Sequence, residues 1–415
     1  MSIALLNTFL SGAITHGRLG VVFADGSSRT YGTAKDGFPE IVIRFADDRV
    51  PRDIVMDPRL GAAEAFMDGR LIIEDGDVMG LVTLLRANDR WERGDDNLRP
   101  NLVRRLLNQA SFAADRLNNA VRSKNNVAHH YDIGNDLYAL MLDEKHWQYS
   151  CAYWPNDDMT LDEAQTAKLA HIAAKLAIKP KQTVLDIGCG WGGMAIFLAE
   201  QYDVHVTGIT LSEEQIALAR KRAADAGVAD KVSFELVDYR DFAKAGQKFD
   251  RIVSVGMFEH VGQPQFESFF EACGNLLSED GVMLLHTIGR LGSPGSTDAF
   301  TRKYIFPGGY IPALSETVET SEKFRIMAAD VETLRLHYGK TLRCWYANCV
   351  ANKDAIIAMY DERFFRMWTF YLAGAATVFE HGGMCNYQIQ YVRSRHALPI
   401  TRDYIEAEER RLLDK

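Results

Sequence analysis

The chain has 415 residues, of which 47% are hydrophobic and 25% carry a charge. These proportions are typical of a folded protein with a sizeable core, and they exclude a short disulfide-stabilised peptide and a largely disordered chain. The 47 lysines and arginines are outnumbered by 56 aspartates and glutamates. The resulting formal net charge of −9 argues against a protein that binds nucleic acid through its overall charge.

The distribution of cysteines and apolar runs predicts a cytoplasmic protein. The six cysteines are scattered without a CxxC pair, so we expect reduced thiols rather than a disulfide framework. The N-terminal stretch 1–12 contains an apolar run, but no basic residue occurs before His16 and Arg18, so it lacks the basic start of a secretory signal. No apolar run reaches the roughly 18 residues of a membrane-spanning helix. We therefore expect membrane contact to be peripheral, at the inner membrane surface.

The first part of the chain has the pattern of a small α+β domain, predicted over residues 1–95. Short apolar runs alternate with turn residues, as where the run 41–45 is followed by Asp47 and Asp48. The polar, charge-dense stretch 86–100 is typical of a linker between compact units.

A basic helical connector is predicted over residues 96–125. Apolar residues recur every three or four positions between Leu102 and Leu117, which indicates one helical stripe. Residues 99–124 contain six basic residues and one acidic residue, a local excess of five positive charges in an acidic chain. A solvated helix face explains this excess somewhat better than a membrane-docking patch.

From residue 183 onward, strand-like runs alternate with helical stretches, within a predicted domain of residues 126–415. Such alternation favours a parallel sheet covered by helices on both faces. The segment 290–336 interrupts this alternation with glycines and prolines and is a candidate cap over a site. It is followed by two aromatic helical stretches, 341–360 and 362–379, and by a predicted strand at 387–392. The first five predicted strands are Thr183–Ile187, Val204–Ile209, Val232–Val237, Arg251–Val255 and Val282–His286.

The strongest local motif is a predicted strand that leads into a glycine loop and then a helix. Gly188, Gly190 and Gly193 match GxGxxG, which on its own fits several nucleotide cofactors. Asp186, just before the loop, would repel a pyrophosphate, and the second strand ends without a ribose-binding acid. S-adenosylmethionine carries a sulfonium and an ammonium and fits an acidic strand end better. The loop therefore favours methyl transfer, with NAD-dependent oxidoreduction as a distant alternative.

Polar groups at the ends of three further strands point to a site at the same edge of the sheet. Asp238 and Tyr239 suit an adenine, although a turn residue explains Asp238 equally well. Glu259 suits a ligand site but also the N-terminus of the next helix, and a lone His286 would usually be structural. Together beside the loop, these two titratable groups favour an acid–base or anion site. Zinc on Cys151, Glu259 and His286 is less favoured because no metal-ligand spacing supports it.

Several long motifs resemble those of the cyclopropane-fatty-acyl-phospholipid synthases, in the same order along the chain. They are HYDIGNDLY at 130–138, YSCAYW at 149–154, FEHVG at 258–262, HTIG at 286–289, KYIFP at 303–307 and YGKTL at 338–342. This resemblance covers residues 130–393. The first hundred residues resemble, less closely, a sterol-carrier-like lipid-binding domain. The implied fold class is α/β, a seven-stranded Rossmann-like class I methyltransferase sheet with a smaller α+β N-terminal lipid-binding domain.

The resemblance implies that the methyl carbon of S-adenosylmethionine is added to a cis double bond of an unsaturated phospholipid acyl chain. Such a bond is a weak nucleophile and must be held in a dry, oriented site. The attack leaves a carbocation on the chain, and a bound bicarbonate takes the proton whose loss closes a cyclopropane ring. By resemblance, the bicarbonate would be held by Cys151, Glu259, His286, the backbone of Ile288, and Tyr338.

The resemblance also implies a set of cofactor contacts and partners. The partners are unsaturated phospholipids at an anionic membrane surface, without nucleic acid or metal, and a homodimer is one expected assembly. Three alternatives remain: a methyl- or methylene-branching acyl methyltransferase, a small-molecule N-methyltransferase, and a non-catalytic lipid-transfer protein. The cofactor residues, with Asp186 added from the loop, are Tyr149, Ser150, Asp186, Gly188, Gly190, Thr210, Leu211, Gln215, Asp238, Tyr239 and Arg240.

Overall fold

The structure is a computed structural model that describes residues 2–94 and 134–414. Contacts divide the described chain into two compact units. The first comprises residues 2–94, 296–307 and 339–384, and the second comprises 134–295, 308–338 and 385–414. The predicted basic connector, 96–125, and the start of the motif at 130–138 lie outside the described residues.

The first unit contains a four-stranded sheet in the order β2-β1-β3-β4. Strand β1 runs antiparallel to β2 and parallel to β3, and β3 runs antiparallel to β4. Ile41, Ile43 and Phe45 of β3 alternate with less buried residues, so one face of the sheet enters the core. The strands are β1 (Arg18–Val22), β2 (Ser28–Tyr31), β3 (Glu40–Phe45) and β4 (Leu71–Asp75). The first four helices are α1 (Ser2–Ala13), α2 (Val50–Met56), α3 (Pro58–Met67) and α4 (Val78–Ala87).

The later segments of the first unit confirm the two predicted aromatic helical stretches, which form three helices. In this unit, Tyr346 donates to Asp77 at 3.0 Å and Arg343 pairs with Glu380 at 2.5 Å. Contacts thus group residues 339–384 with the N-terminal residues, whereas the sequence-based boundaries assign them to 126–415; those domain boundaries stay a prediction. The three helices are α12 (His337–Ala351, of which residues 337–338 belong to the second unit), α13 (Lys353–Met359) and α14 (Glu362–Glu380).

The second unit contains a seven-stranded sheet in the order β10-β11-β9-β8-β5-β6-β7. The pairs β5–β6, β5–β8, β6–β7 and β8–β9 are parallel, and β10–β11 is antiparallel. The carboxyl ends of the five parallel strands therefore meet at one edge, as predicted. The strands are β5 (Thr183–Ile187), β6 (His205–Thr210), β7 (Val232–Leu236), β8 (Phe249–Val255), β9 (Leu277–Arg290), β10 (Met327–Leu334) and β11 (Met384–Val392).

Helices cover the sheet of the second unit. Thr160 begins α6 with a capping box, in which its side chain and that of Glu163 exchange hydrogen bonds with the backbone. All six cysteines are free thiols, as expected. In the described parts of the chain, no helix is long and apolar enough to cross a membrane. The helices are α5 (Asn135–Met141), α6 (Leu161–Leu176), α7 (Gly193–Gln201), α8 (Glu213–Asp225), α9 (Tyr239–Phe242), α10 (Phe266–Leu276), α11 (Leu314–Lys323) and α15 (Asp403–Leu413).

The expectation that residues 290–336 interrupt the alternation of strands and helices is wrong for part of that segment. The segment contains α11 and also β10, the one strand of the seven-stranded sheet that the sequence did not predict. Strand β10 is at the edge of the sheet, and its residues alternate between exposed and half-buried. Polar residues such as Asp330 and Glu332 are compatible with such an edge strand, but they hid its apolar pattern.

Candidate active site

The glycine loop after β5 is fixed by hydrogen bonds of its own backbone. The N–H groups of Gly188 and Cys189 both donate to the carbonyl oxygen of Ile209, at 2.9 and 3.0 Å. Gly188 has a φ of +83°, and a Cβ there would lie 2.7 Å from the side chain of Met257. At Gly190, where φ is +53°, a Cβ would meet no atom within 4 Å. The first glycine is therefore required by close packing, whereas the second borders open space that a ligand can use.

Asp186 lies near the end of β5, beneath this loop, with only 2% of its surface exposed. Its Oδ2 atom has no hydrogen-bond partner among the described residues. Burial raises the pKa of this carboxyl group to about 7, against a smaller lowering effect of Lys168. A cationic group bound nearby would favour the ionised form. Asp186 is thus a buried carboxyl group at the place where the sequence predicts a contact with the positively charged end of S-adenosylmethionine, and that contact stays a prediction.

The segment 149–154 passes the end of β8 and reaches the start of α12. A Cβ on Gly256 would lie 3.8 Å from the Cβ of Ser150 and 3.9 Å from the carbonyl oxygen of Tyr149. Farther along, the N–H of Trp154 donates to Nδ1 of His337 at 2.9 Å. The predicted cofactor residues Tyr149 and Ser150 are thus held beside the end of β8.

Thr210 and Gln215 form a buried polar pair where β6 ends. The hydroxyl of Thr210 donates to Oε1 of Gln215 at 3.1 Å, and it accepts from the N–H of Ser212 at 3.3 Å. Leu211, between them, is half-buried. The N–H of Gln215 donates to the hydroxyl of Ser212, which caps α8. The predicted residues at this strand end therefore form one connected turn.

Asp238, at the end of β7, is a turn residue, which is one of the two roles that the sequence allows, and its contact with adenine stays a prediction. It caps α9 by accepting from the N–H of Arg240, and it accepts two further hydrogen bonds from that guanidinium group at 2.7 and 2.6 Å. Burial raises the pKa of Asp238, but the hydrogen bonds from Arg240 outweigh it and hold the pKa below its ordinary value. The ring of Tyr239 packs edge-on against Phe269 at 5.5 Å. A rigid anion and an aromatic ring therefore stand together at this edge.

Glu259 lies in the short 3-10 turn Phe258–His260 that follows β8. It is 7% exposed, and its Oε1 atom accepts from the N–H of Ile288 at 2.5 Å. Within the described chain, Oε2 has no hydrogen-bond partner. Burial raises the pKa of this carboxyl group to about 7, although the hydrogen bonds from Ile288 and Thr287 oppose the increase. Glu259 can therefore exist with or without its proton near neutral pH.

His286 is fully enclosed on β9, level with the end of β8. It pairs in register with Val255, and its carbonyl oxygen accepts from the N–H of Gly256 at 2.9 Å. Its Nε2 lies 3.0 Å from the amide of Asn386, and its Nδ1 lies 3.1 Å from the amide of Gln388. Burial lowers the pKa of His286 well below its ordinary value, so the ring is neutral. An anion held by His286 would have to share it with these amides.

The two remaining residues of the predicted bicarbonate site are also buried. The thiol of Cys151 donates to the carbonyl oxygen of Ala152 at 3.3 Å, and burial raises its pKa, so it is not a thiolate. Tyr338 is 7% exposed and lies in the first turn of α12. The structure thus joins Glu259 to Ile288 by a direct hydrogen bond, and all five predicted residues lie in the second unit.

Comparisons with known proteins agree with this architecture. A family model described as mycolic acid cyclopropane synthetase matches residues 118–389. The chain is also 38% identical over 362 residues to the cyclopropane-fatty-acyl-phospholipid synthase of Escherichia coli strain K12, which covers 87% of this chain and 90% of that relative. The chain belongs to the cyclopropane synthase family. It is 39% identical to cyclopropane mycolic acid synthase 3 of Mycobacterium tuberculosis over 62% of this chain and 93% of that relative.

Solved structures of the cyclopropane synthase family have the same fold. The cyclopropane synthase MmaA2 from Mycobacterium tuberculosis aligns with a TM-score of 0.61 at 34% identity, over 65% of this chain and 97% of its own. The mycolic acid cyclopropane synthase CmaA1, complexed with SAH and CTAB, gives the same TM-score and coverage at 37% identity. The chain is therefore an S-adenosylmethionine-dependent methyltransferase, and the predicted fold class is confirmed.

The sequence did not reveal one residue that contacts the predicted cofactor residues. This residue is Lys168 of α6, which is fully buried. Its ammonium group donates to the hydroxyl of Ser150 at 3.0 Å and to the side-chain oxygen of Gln148. Burial lowers its pKa to about 8, while the carboxylates Asp143 and Asp186 oppose this. Lys168 therefore connects the segment 149–154 to the acidic end of β5. The signal available in the sequence was the alanine-rich composition of residues 161–176, whereas the burial of this helix on nearly every side is seen only in the structure.

Proposed function

We propose that the protein transfers the methyl carbon of S-adenosylmethionine to the cis double bond of unsaturated phospholipid acyl chains. The product is a cyclopropane ring, formed through a carbocation that bound bicarbonate deprotonates. The observation that carries this proposal is the match to the E. coli cyclopropane-fatty-acyl-phospholipid synthase, which covers 87% of this chain. The mycobacterial synthases, named for mycolic acids, match only 62% of this chain. The additional matched length favours a phospholipid substrate.

The residues around the glycine loop fit S-adenosylmethionine. When bound, the cofactor supplies an electrophilic methyl carbon on a sulfonium. Asp186 offers a buried carboxylate oxygen that has no partner among the described residues, and a Cβ at Gly190, farther along the loop, would meet no atom within 4 Å. Asp238 offers an ionised carboxylate that Arg240 already fixes in orientation. These groups require little rearrangement to bind a ligand that has cationic and hydrogen-bonding ends.

Bicarbonate fits Glu259 in particular. When bound, it supplies a proton acceptor that is not part of the chain. The free Oε2 of Glu259 would accept from its hydroxyl, which agrees with a carboxylate oxygen that is buried without a partner. The N–H of Ile288 already donates to Glu259, and His286 already contacts two amides. We propose that these donors, with Cys151 and Tyr338, are shared with the anion rather than reserved for it.

The same residues keep strong nucleophiles away from the reacting chain. Cys151 is held as a thiol because burial raises its pKa, and a thiol is a far weaker nucleophile than a thiolate. His286 is neutral, with a hydrogen-bond partner at each ring nitrogen. Both features suit a reaction that passes through a carbocation.

Three further parts of the proposal rest on the sequence. They are a lipid-binding role for residues 1–95, a peripheral site of action at the inner, anionic membrane surface, and assembly as a homodimer. The excess of positive charge within the connector 96–125 supports the membrane role, since anionic lipids attract clustered basic residues.

The deciding experiment incubates the protein with S-adenosylmethionine, bicarbonate and vesicles of a monounsaturated phospholipid. Mass spectrometry of the acyl chains should show a gain of about 14 Da, one CH₂ group, which survives mild hydrogenation because a ring is not an alkene. A gain that takes up hydrogen would indicate a methylene product instead. No gain, although S-adenosylmethionine binds, would refute the lipid substrate and favour an amine acceptor. No binding of S-adenosylmethionine would favour a lipid-transfer protein.

A further inference from the structure

A buried chain of hydrogen bonds leads from α6 through β11 to His286. The ammonium group of Lys175, in α6, pairs with the carboxylate of Glu332 and donates to Oε1 of Gln388 at 2.8 Å. The amide nitrogen of Gln388 lies 3.1 Å from Nδ1 of His286. Lys175 and Gln388 are both fully buried. No solvent therefore competes for these hydrogen bonds, and each group must be satisfied by its neighbours.

The chemistry of these groups determines the direction of each hydrogen bond. An ammonium group only donates, so Gln388 must turn its oxygen toward Lys175 and its NH₂ group toward His286. Nδ1 of His286 is then the acceptor. A neutral imidazole has one acceptor and one N–H, so the proton is on Nε2. The amide nitrogen of Asn386 lies 3.0 Å from Nε2. With a proton on Nε2, this amide must be turned end for end so that its oxygen accepts, which the similar shape of its two ends allows.

We propose that Lys175 and Gln388 are positioning residues that fix the tautomer of His286 with its proton on Nε2. His286 is then a hydrogen-bond donor throughout the reaction. Its Nδ1 lone pair is occupied by the amide of Gln388, so the ring neither accepts the substrate proton nor reacts with the electrophilic methyl carbon. This role rests on the proposed function, in which a separate anion is the proton acceptor. The proposed role also explains why a lysine occupies this position, although burying its ammonium group costs free energy.

The sharpest test is Gln388→Glu, because a carboxylate has nearly the same shape but only accepts hydrogen bonds. When this carboxylate faces His286, Nδ1 must carry a proton in order to donate to it. Nitrogen-15 NMR of histidine-labelled protein, with the His286 signals assigned by difference from His286→Asn, should show Nε2–H in the wild-type protein and Nδ1–H in the variant. We expect kcat to fall on the order of 10²-fold, the cost of misdirecting one buried donor, with KM for S-adenosylmethionine unchanged.

Gln390→Glu is the matched control. Gln390 is on the same strand, is equally buried, and donates to Tyr404 and to the backbone of Lys175 rather than to His286. It should reproduce the loss of stability that a buried carboxylate causes, without the change in tautomer or the fall in kcat. Gln388→Met provides a second variant without a new charge, and it should give a mixture of the two His286 tautomers.

Three results would overturn the proposal. They are a wild-type His286 with its proton on Nδ1, an unchanged tautomer in Gln388→Glu, and equal losses of kcat in Gln388→Glu and Gln390→Glu. Failure of the proposed function would look different. In that case the wild-type protein would add no CH₂ group to lipids, whereas the NMR result for His286 would still be obtained on the folded protein.

Discussion

Replacing Glu259 by glutamine should stabilise the protein at neutral and alkaline pH. The pKa of this carboxyl group rises from 4.5 to about 7 because it is buried. A folded-state pKa above the unfolded-state value means that wild-type stability is full below about pH 4.5 and is lost as the pH rises toward about 7. The difference corresponds to roughly 3 kcal/mol. Glutamine has no proton to lose, and it keeps an oxygen that accepts from Ile288.

The assay is urea denaturation of the wild-type protein and Glu259→Gln at about pH 5 and about pH 8, with the free energy of unfolding extrapolated to water. The two proteins should be nearly equal at the lower pH, and the variant should be more stable by up to roughly 3 kcal/mol at the higher pH. Glu279→Gln, at an exposed position of β9, controls for the substitution itself. A difference between wild type and variant that does not change with pH would refute the burial argument. The same variant should still bind S-adenosylmethionine but fail to close the ring.

Three further predictions concern other parts of the chain. Lys168→Met should weaken S-adenosylmethionine binding by about tenfold or more in calorimetry, because one charge-assisted hydrogen bond to Ser150 is lost. The control Lys221→Met, at an exposed lysine, should leave this affinity unchanged. Gly188→Ala should lower the free energy of unfolding by about 1–3 kcal/mol, through strain at a positive φ and contact with Met257. Gly190→Ala has the strain of a positive φ but no such contact, so it should lower stability less and should also reduce cofactor affinity. Equal losses of stability in the two variants would contradict this. Reversing Arg104 and Arg105 to glutamate should weaken binding to anionic vesicles by about 1 kcal/mol per residue and make it less salt-dependent, and unchanged sedimentation with vesicles would exclude a docking role for the connector.

The alternation of strands and helices was sufficient to predict the sheet that holds the site. Strand Thr183–Ile187 was predicted with its observed bounds, and the others differ by a few residues at their ends, except β9, which is longer at both ends. Strand β10 was missed because an edge strand does not need a continuous apolar run. Periodicity reports how much of an element is buried, so it detects central strands better than edge strands.

The positions of the site residues followed from where strands end, but their partners did not. Asp186, Asp238 and Glu259 were found because chain order places the ends of parallel strands at one edge. Nothing in the sequence around Lys175 or Gln388 connects them to His286, because that connection depends on packing between elements about a hundred or more residues apart. A lysine in a helical pattern is normally a solvated residue, and only tertiary burial gives it another role.

Burial of the titratable groups gives this site a common chemical character. Asp186 and Glu259 have pKa values of about 7, Cys151 remains a thiol, and His286 remains neutral. In an ordinary acid–base site, such groups would be prepared to exchange protons with the substrate. Here each one is shifted toward its neutral form, which reduces its ability to attack a methyl sulfonium or a carbocation. Under the proposed function, a site that suppresses its own nucleophiles needs an external proton acceptor, and we propose that the chain holds it at the oxygen of Glu259 that has no partner among the described residues.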